Sequence, residues 1–258
     1  MKVIAHAVLL MALAVPASTG AAASRPSVAL TASPAHVTIA GGDAAFVRVS
    51  NAGSRRVVVD VRRAGFALDL RGRPMIVSRP RSVAANSWLW VRPRKVVVRP
   101  GSATSLTLSA RVPHRAEPGD HPALLLLTTR PRPHAGVAVR MRLGVVVDVR
   151  APGRIVRRLA LRDLRARGHG RTRVLELLVV NRGNVTEELG PHRVLVTLRR
   201  HGRVLARLEG QPRALLPRSR GLVFFRYRGH STGVVSALAV LASDDGGASV
   251  YRSFRLRL

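Results

Sequence analysis

From position 137 to position 149 every odd-numbered residue is apolar, reading Val, Val, Met, Leu, Val, Val, Val. Arg140, Arg142 and Asp148 lie on the even positions between them, and Arg150 follows. An extended strand sends successive side chains to opposite faces, so the pattern buries one face only if the segment is a strand. Shorter versions recur. Val57, Val59 and Val61 alternate with Asp60 and Arg62; Leu106, Leu108, Ala110 and Val112 alternate with Ser105, Thr107, Ser109 and Arg111; Val194, Val196 and Leu198 alternate with Thr197 and Arg199. Turn-forming clusters separate the runs, among them Gly41-Gly42-Asp43, Arg99-Pro100-Gly101, Pro118-Gly119-Asp120 and Asp244-Asp245-Gly246-Gly247. No long segment carries a 3.6-residue apolar period. The pattern predicts an all-β chain.

Two sets of strands are expected. Ala151-Pro152-Gly153 interrupts the pattern after the long run, with a proline that cannot donate to a ladder and a glycine that permits a bend. The stretches on either side echo one another: Val49-Ser50-Asn51-Ala52-Gly53 matches Val179-Val180-Asn181-Arg182-Gly183, where Asn and Gly are expected to tolerate the positive φ of a tight turn. Strand number and turn spacing then predict two tandem immunoglobulin-like β-sandwich domains, residues 24–150 and 151–258, after a signal peptide at residues 1–23. That leader has Lys2, an apolar stretch from 3 to 15 broken only by His6, and Ala21-Ala22-Ala23 for cleavage. The stretch is shorter than the ~20 residues a spanning helix needs, and no later segment resembles one. No transmembrane anchor is expected, and the product is placed outside the cytoplasm, as secreted, cell-surface or periplasmic protein.

Chemistry is sparse. With no cysteine there is no disulfide, thiolate nucleophile or zinc–thiolate site. Asp120-His121, with His114 and Glu117 nearby, is the densest polar cluster, but it sits in a Pro-Gly-Asp turn, where Asp commonly caps backbone. Glu187 and Glu188 are neighbours on a strand and so point to opposite faces. No catalytic residue, metal ligand or cofactor is expected, and the chain is read as noncatalytic. The remaining signal is charge. Lys and Arg number 44 against 13 Asp and Glu, for +31, and loss of Lys2 with the leader leaves +30. Such a field gathers polyanions. Only 3% of residues are aromatic, too few for the stacking platforms of single-strand binders, and no specific nucleic acid is expected.

In order and spacing, Ser33-Pro34, the Asn51-Ala52-Gly53 turn, Trp88, Lys95 through Gly101, and Ala116 through His121 resemble the peptidoglycan-binding domain of bacterial WxL-interacting cell-surface proteins. Asn181-Arg182-Gly183-Asn184 is similar to a turn in the second immunoglobulin-like domain of that family. The resemblance implies binding of peptidoglycan or another anionic wall polymer, and possible partnership with another surface protein. The expected contacts are Arg62, Arg71, Arg73, Arg140 and Arg142, with Trp88 and Trp90, two apart and so on one strand face, either stacking on sugar or plugging the core. The long alternating strand also resembles the last strand of the first domain in periplasmic pilus-assembly chaperones, exported pairs of immunoglobulin-like domains that complement an incomplete subunit. By that likeness Val137, Val139, Met141 and Leu143 form a partner-binding edge. The plainer reading, that these odd positions face their own core, is favoured.

Overall fold

The alternating runs form strands, the long one from Arg142 onward, and their apolar faces meet in two separate cores. The computed structural model describes residues 28–77, 83–130, 140–243 and 248–258. The leader, Val137, Val139 and the Asp244–Gly247 turn lie outside the described residues. No helix among those described is long and apolar enough to cross a membrane.

The first sandwich uses β1 (Leu30–Ser33), β2 (His36–Ala40), β3 (Ala44–Asn51), β4 (Val57–Leu68), β5 (Pro74–Val77), β6 (Leu89–Arg92), β7 (Lys95–Val98), β8 (Ala103–Ala110), β9 (Gly119–Thr129) and β10 (Arg142–Ala151). One sheet runs β1-β3-β8-β6, and the other runs β2-β10-β9-β4-β5, with β7 also pairing β4. The chain changes sheets between β1 and β2, at the cis Ser33-Pro34 bond, and β2 then lies parallel to β10. Val47, Val49, Leu106 and Leu108 from one sheet pack with Val59, Leu125, Leu127, Val145, Val147 and Val149 from the other. Each such side chain contributes roughly 1.5–3 kcal/mol on burial. Val57, Val59 and Val61 of β4 and Leu106, Leu108 and Ala110 of β8 are buried as their alternation predicted, and β4 also buries Phe66 on its other face.

The second sandwich uses β11 (Leu159–Arg167), β12 (Thr172–Asn181), β13 (Glu187–Leu189), β14 (Val194–Arg200), β15 (Arg203–Glu209), β16 (Arg213–Leu215), β17 (Arg220–Arg228), β18 (Val234–Leu241) and β19 (Val250–Arg257). Its sheets run β11-β12-β17 and β15-β14-β18-β19, with β13 paired to β16. Leu175, Leu177, Val179, Val196, Leu198, Val223 and Phe225 fill the space between them. No ladder among the described residues joins the two sets of strands.

Two local expectations change. The echoed Asn-x-Gly turns do not use positive φ, which neither Asn nor its following Gly adopts. Instead each Asn is buried as an anchor. Asn51 donates to the carbonyls of Arg55 (2.7 Å) and Val98 (3.2 Å) and accepts from Gly53 N–H at 3.0 Å. Asn181 donates to Val185, Leu215 and Leu216 and accepts from Gly183 N–H at 2.9 Å. Gly183 is needed for closeness, since a Cβ there would run into the Val156 carbonyl oxygen. The second change is a six-residue helix, α1 (Val83–Trp88). It ends on Trp88, so Trp88 and Trp90 sit in different elements and share no strand face.

Candidate functional site

β10 carries the candidate site at its upstream end. The Met141 carbonyl accepts from Thr129 N–H in β9 at 3.0 Å. Backbone polarity alternates along a strand, so Leu143, Val145, Val147 and Val149 also turn their N–H and C=O toward β9. The even positions turn theirs the other way, as the Val146 N–H to the Ala35 carbonyl (2.9 Å) demonstrates. β2 covers that side from Val146 to Arg150 only. At Arg142 and Gly144 the outward N–H and C=O groups have no strand beside them among the described residues. An open stretch of this kind accepts another strand.

Side chains at the open stretch divide by face. Met141 and Leu143 are half-buried and pack against the end of the first core, in line with the plainer reading of the odd positions. On the outer face, register places Arg142 beside Thr128 and Asp60, and Gly144 beside Leu126 and Arg62. Arg62, Arg140 and Arg142, three of the predicted contact residues, line one cleft of about 380 Å³ with Arg130 and Asp60. Asp60 is held by Arg130 through bonds of 2.6 and 2.7 Å, which keep its carboxyl below the usual range, with Arg62 and Lys95 adding to the effect. Arg62, Arg140 and Arg142 form no ion pair among the described residues.

Arg71 and Arg73 lie elsewhere, at the joint between the sandwiches. The β4–β5 turn rests on β17: Leu222 N–H donates to the Leu70 carbonyl at 2.8 Å, and the Arg213 guanidinium donates to the Asp69 and Leu70 carbonyls. Arg71 reaches Glu176 at 3.5 Å and sits 6.0 Å from the Phe224 ring centre. Arg73 gives its backbone N–H to Asp69 within the turn. Arg71 thus joins the two sandwiches. Below it, Phe66 and Leu124 meet Leu216 in a small apolar cluster.

The far end of β10 completes the joint with a polar cluster that the sequence did not reveal. Asp120, expected as a turn cap, is instead a buried residue of β9 that pairs with Arg150 at 2.6 Å and accepts from Thr186 N–H. Its own N–H donates to the Asn184 carbonyl at 2.7 Å, and the Asn184 amide donates to the Pro118 and Arg154 carbonyls. His36 bridges Asp148 of β10 (2.8 Å) and Glu188 of β13 (2.6 Å). Its pKa rises from 6.5 to about 9, chiefly through the Asp148 bond acting against burial, with Glu188 adding to it. Glu187, as predicted, faces the other way, to Arg157 and Arg193.

Trp88 stands over a second cavity, of about 610 Å³, between Arg115, Glu117, His121, Asn184 and Arg218. Its ring meets His121 edge-on at 4.8 Å, while Trp90 points outward from β6 and is 49% exposed. No group of three or more metal-binding side chains occurs among the described residues.

The arrangement defines a class, a pair of immunoglobulin-like sandwiches locked at their joint, with β10 partly uncovered among the described residues. Comparison with solved structures agrees on the fold. The chain is similar to one from a chaperone–tip adhesin complex of CFA/I fimbriae biogenesis, with a TM-score of 0.50 and 11% identity, covering 87% of this chain and 98% of that one. It is also similar to the YadV chaperone (TM-score 0.49, 12% identity, 88% and 99% covered) and to the class 5 fimbrial chaperone CfaA (0.49, 11%, 87% and 98%). No family model matches the sequence, and no curated protein does. The WxL-interacting likeness therefore finds no support.

Proposed function

We propose that this is an exported, noncatalytic assembly protein, chaperone-like in action, whose two units (24–150 and 151–258) hold β10 as a template for a strand of a protein partner. The observation that carries the reading is the backbone of Arg142 and Gly144, which has no strand beside it among the described residues. Similarity in fold to a chain of a fimbrial chaperone–tip adhesin complex supports it. Strand addition draws on main-chain hydrogen bonds for affinity and on alternate side chains for choice of partner. The interdomain joint suits this role, because ordering the template in advance lowers the entropic cost of capture.

Peptidoglycan binding, the reading implied by the WxL likeness, has less behind it. Of its expected contacts, Arg71 joins the two sandwiches and Trp88 packs against the core, away from Arg62, Arg140 and Arg142.

The test is Arg142→Pro against Arg142→Ala. Proline removes an outward N–H at an edge, where it is tolerated, and leaves the β9 ladder intact. The tagged chain, expressed in its own host and purified from the envelope, should bring down a stoichiometric exported protein. Arg142→Ala should keep most of that protein, losing an exposed ion pair at most, and Arg142→Pro should capture about tenfold less than Arg142→Ala, the worth of roughly one backbone bond. Equal capture by both variants overturns the reading. So does retention by purified peptidoglycan with no protein partner.

A further inference from the structure

The open stretch of β10 does not face neutral ground. Resting on the edge-binding reading above, we propose that the strand it accepts is amphipathic, with apolar residues on one face and carboxylates on the other. Three observations converge on that chemistry.

First, the two faces at the open edge differ. A strand laid beside Arg142–Val145 would set one row of side chains next to half-buried Met141 and Leu143, extending the core. Its other row would lie over the outer face, beside Arg142. Cross-strand neighbours on one face are about 5 Å apart, close enough for opposite charges to select one another.

Second, that outer face is cationic and largely uncompensated. Four guanidiniums, those of Arg62, Arg130, Arg140 and Arg142, share the cleft with one carboxylate, Asp60. Asp60 is already engaged by Arg130. Like charges gathered without counterions cost the free protein energy, and an incoming carboxylate relieves it.

Third, the pairing register gathers arginines from separate strands into one cleft around Gly144. Gly144 has no side chain on this face, and its cross-strand row continues to Leu126 and Arg62. An added Cβ would press on Leu124 at 3.1 Å. Leu124 thus occupies the space over Gly144, and Arg62 lines the same cleft as Arg140 and Arg142. Arg suits this use, since its planar fork pairs with carboxylates in two-bond geometry.

Three twelve-residue peptides test the proposal on the full chain, alternating Val with Asp, Val with Ser, or Val with Lys. Binding is read by fluorescence anisotropy at low and at raised salt. The Val/Asp peptide should bind at least about tenfold more tightly than Val/Ser, the sum of a few exposed ion pairs. The advantage should shrink with salt. The triple variant Arg62→Glu, Arg140→Glu, Arg142→Glu should invert the order in favour of Val/Lys, a result that misfolding cannot mimic. Equal, Arg142→Pro-sensitive binding of all three peptides overturns the acidic preference and leaves the edge reading standing. Displacement of Val/Asp by polyphosphate, with no loss in Arg142→Pro, overturns it by showing a general anion surface. Failure of Val/Asp to bind at about 1 mM, the limit of weak recognition, also overturns it.

Discussion

Replacing His36 by Gln probes the interdomain joint through a strongly perturbed group. The ring ties β2 to Asp148, whose side chain is fully buried, and to Glu188 of the second sandwich. A rise from 6.5 to about 9 corresponds to about 3 kcal/mol of preference for the charged form. Glu188 is exposed and its share is screened, so about 2 kcal/mol is the working figure. Because the folded pKa is raised, the stabilisation is complete below about pH 6.5 and is lost as pH climbs through about 9. His36→Gln should cost about 3 kcal/mol at about pH 6, since it leaves the Asp148 carboxylate buried without a cation. Near pH 9.5 the deficit should shrink to about 1 kcal/mol as the wild type loses its own bridge. Thermal unfolding followed by circular dichroism from about pH 6 to 9.5 measures this, and 2 kcal/mol corresponds to a change of about 5 °C in the wild-type advantage. Asp148→Asn should flatten the dependence. Parallel curves for wild type and His36→Gln across that range would refute the reasoning.

Asn181→Ala should destabilise the chain by about 3 kcal/mol in urea unfolding, because buried carbonyls of Val185, Leu215 and Leu216 lose their donor. Gly119→Ala should cost at least about 2 kcal/mol and loosen the joint, read as faster proteolysis near residues 152–158; φ there is 113° and a Cβ would strike the Asn184 carbonyl. Arg71→Ala should cost under about 1 kcal/mol, as its partner contact is long and its side chain exposed. The same variant should leave partner capture unchanged in the purification that separates Arg142→Pro from Arg142→Ala.

Alternation carried the strands because a period of two has one physical meaning on a half-buried sheet. Val57, Val59 and Val61, and Val194, Val196 and Leu198, are buried as their spacing requires. The same logic separated Glu187 from Glu188. Helix α1 was missed because six residues hold fewer than two turns, too short to display a period. Asp120 looked like a turn residue because the turn glycine next to it, Gly119, already begins β9, and only the Arg150 pairing reveals its buried role. The His36 bridge was illegible for a different reason. Its members stand 112 and 152 positions apart, and which side chains a fold brings together is decided by sheet order and domain docking rather than by local pattern. In the cleft, Arg62, Arg140 and Arg142 were expected as anion contacts from their place on the polar positions of alternating strands. The pairing register of β4, β9 and β10 is what gathers them and separates Arg71 from them.

Amide hydrogen exchange along β10 tests the central claim most directly. In the free protein the Leu143 and Val145 amides, bonded to β9, should exchange slowly, while those of Arg142 and Gly144 exchange at close to open-chain rates. On capture of the partner, Arg142 and Gly144 should become as protected as their odd-numbered neighbours. Amides at 142 and 144 that stay fast in a stoichiometric complex, or that are already slow in the free chain, contradict the account.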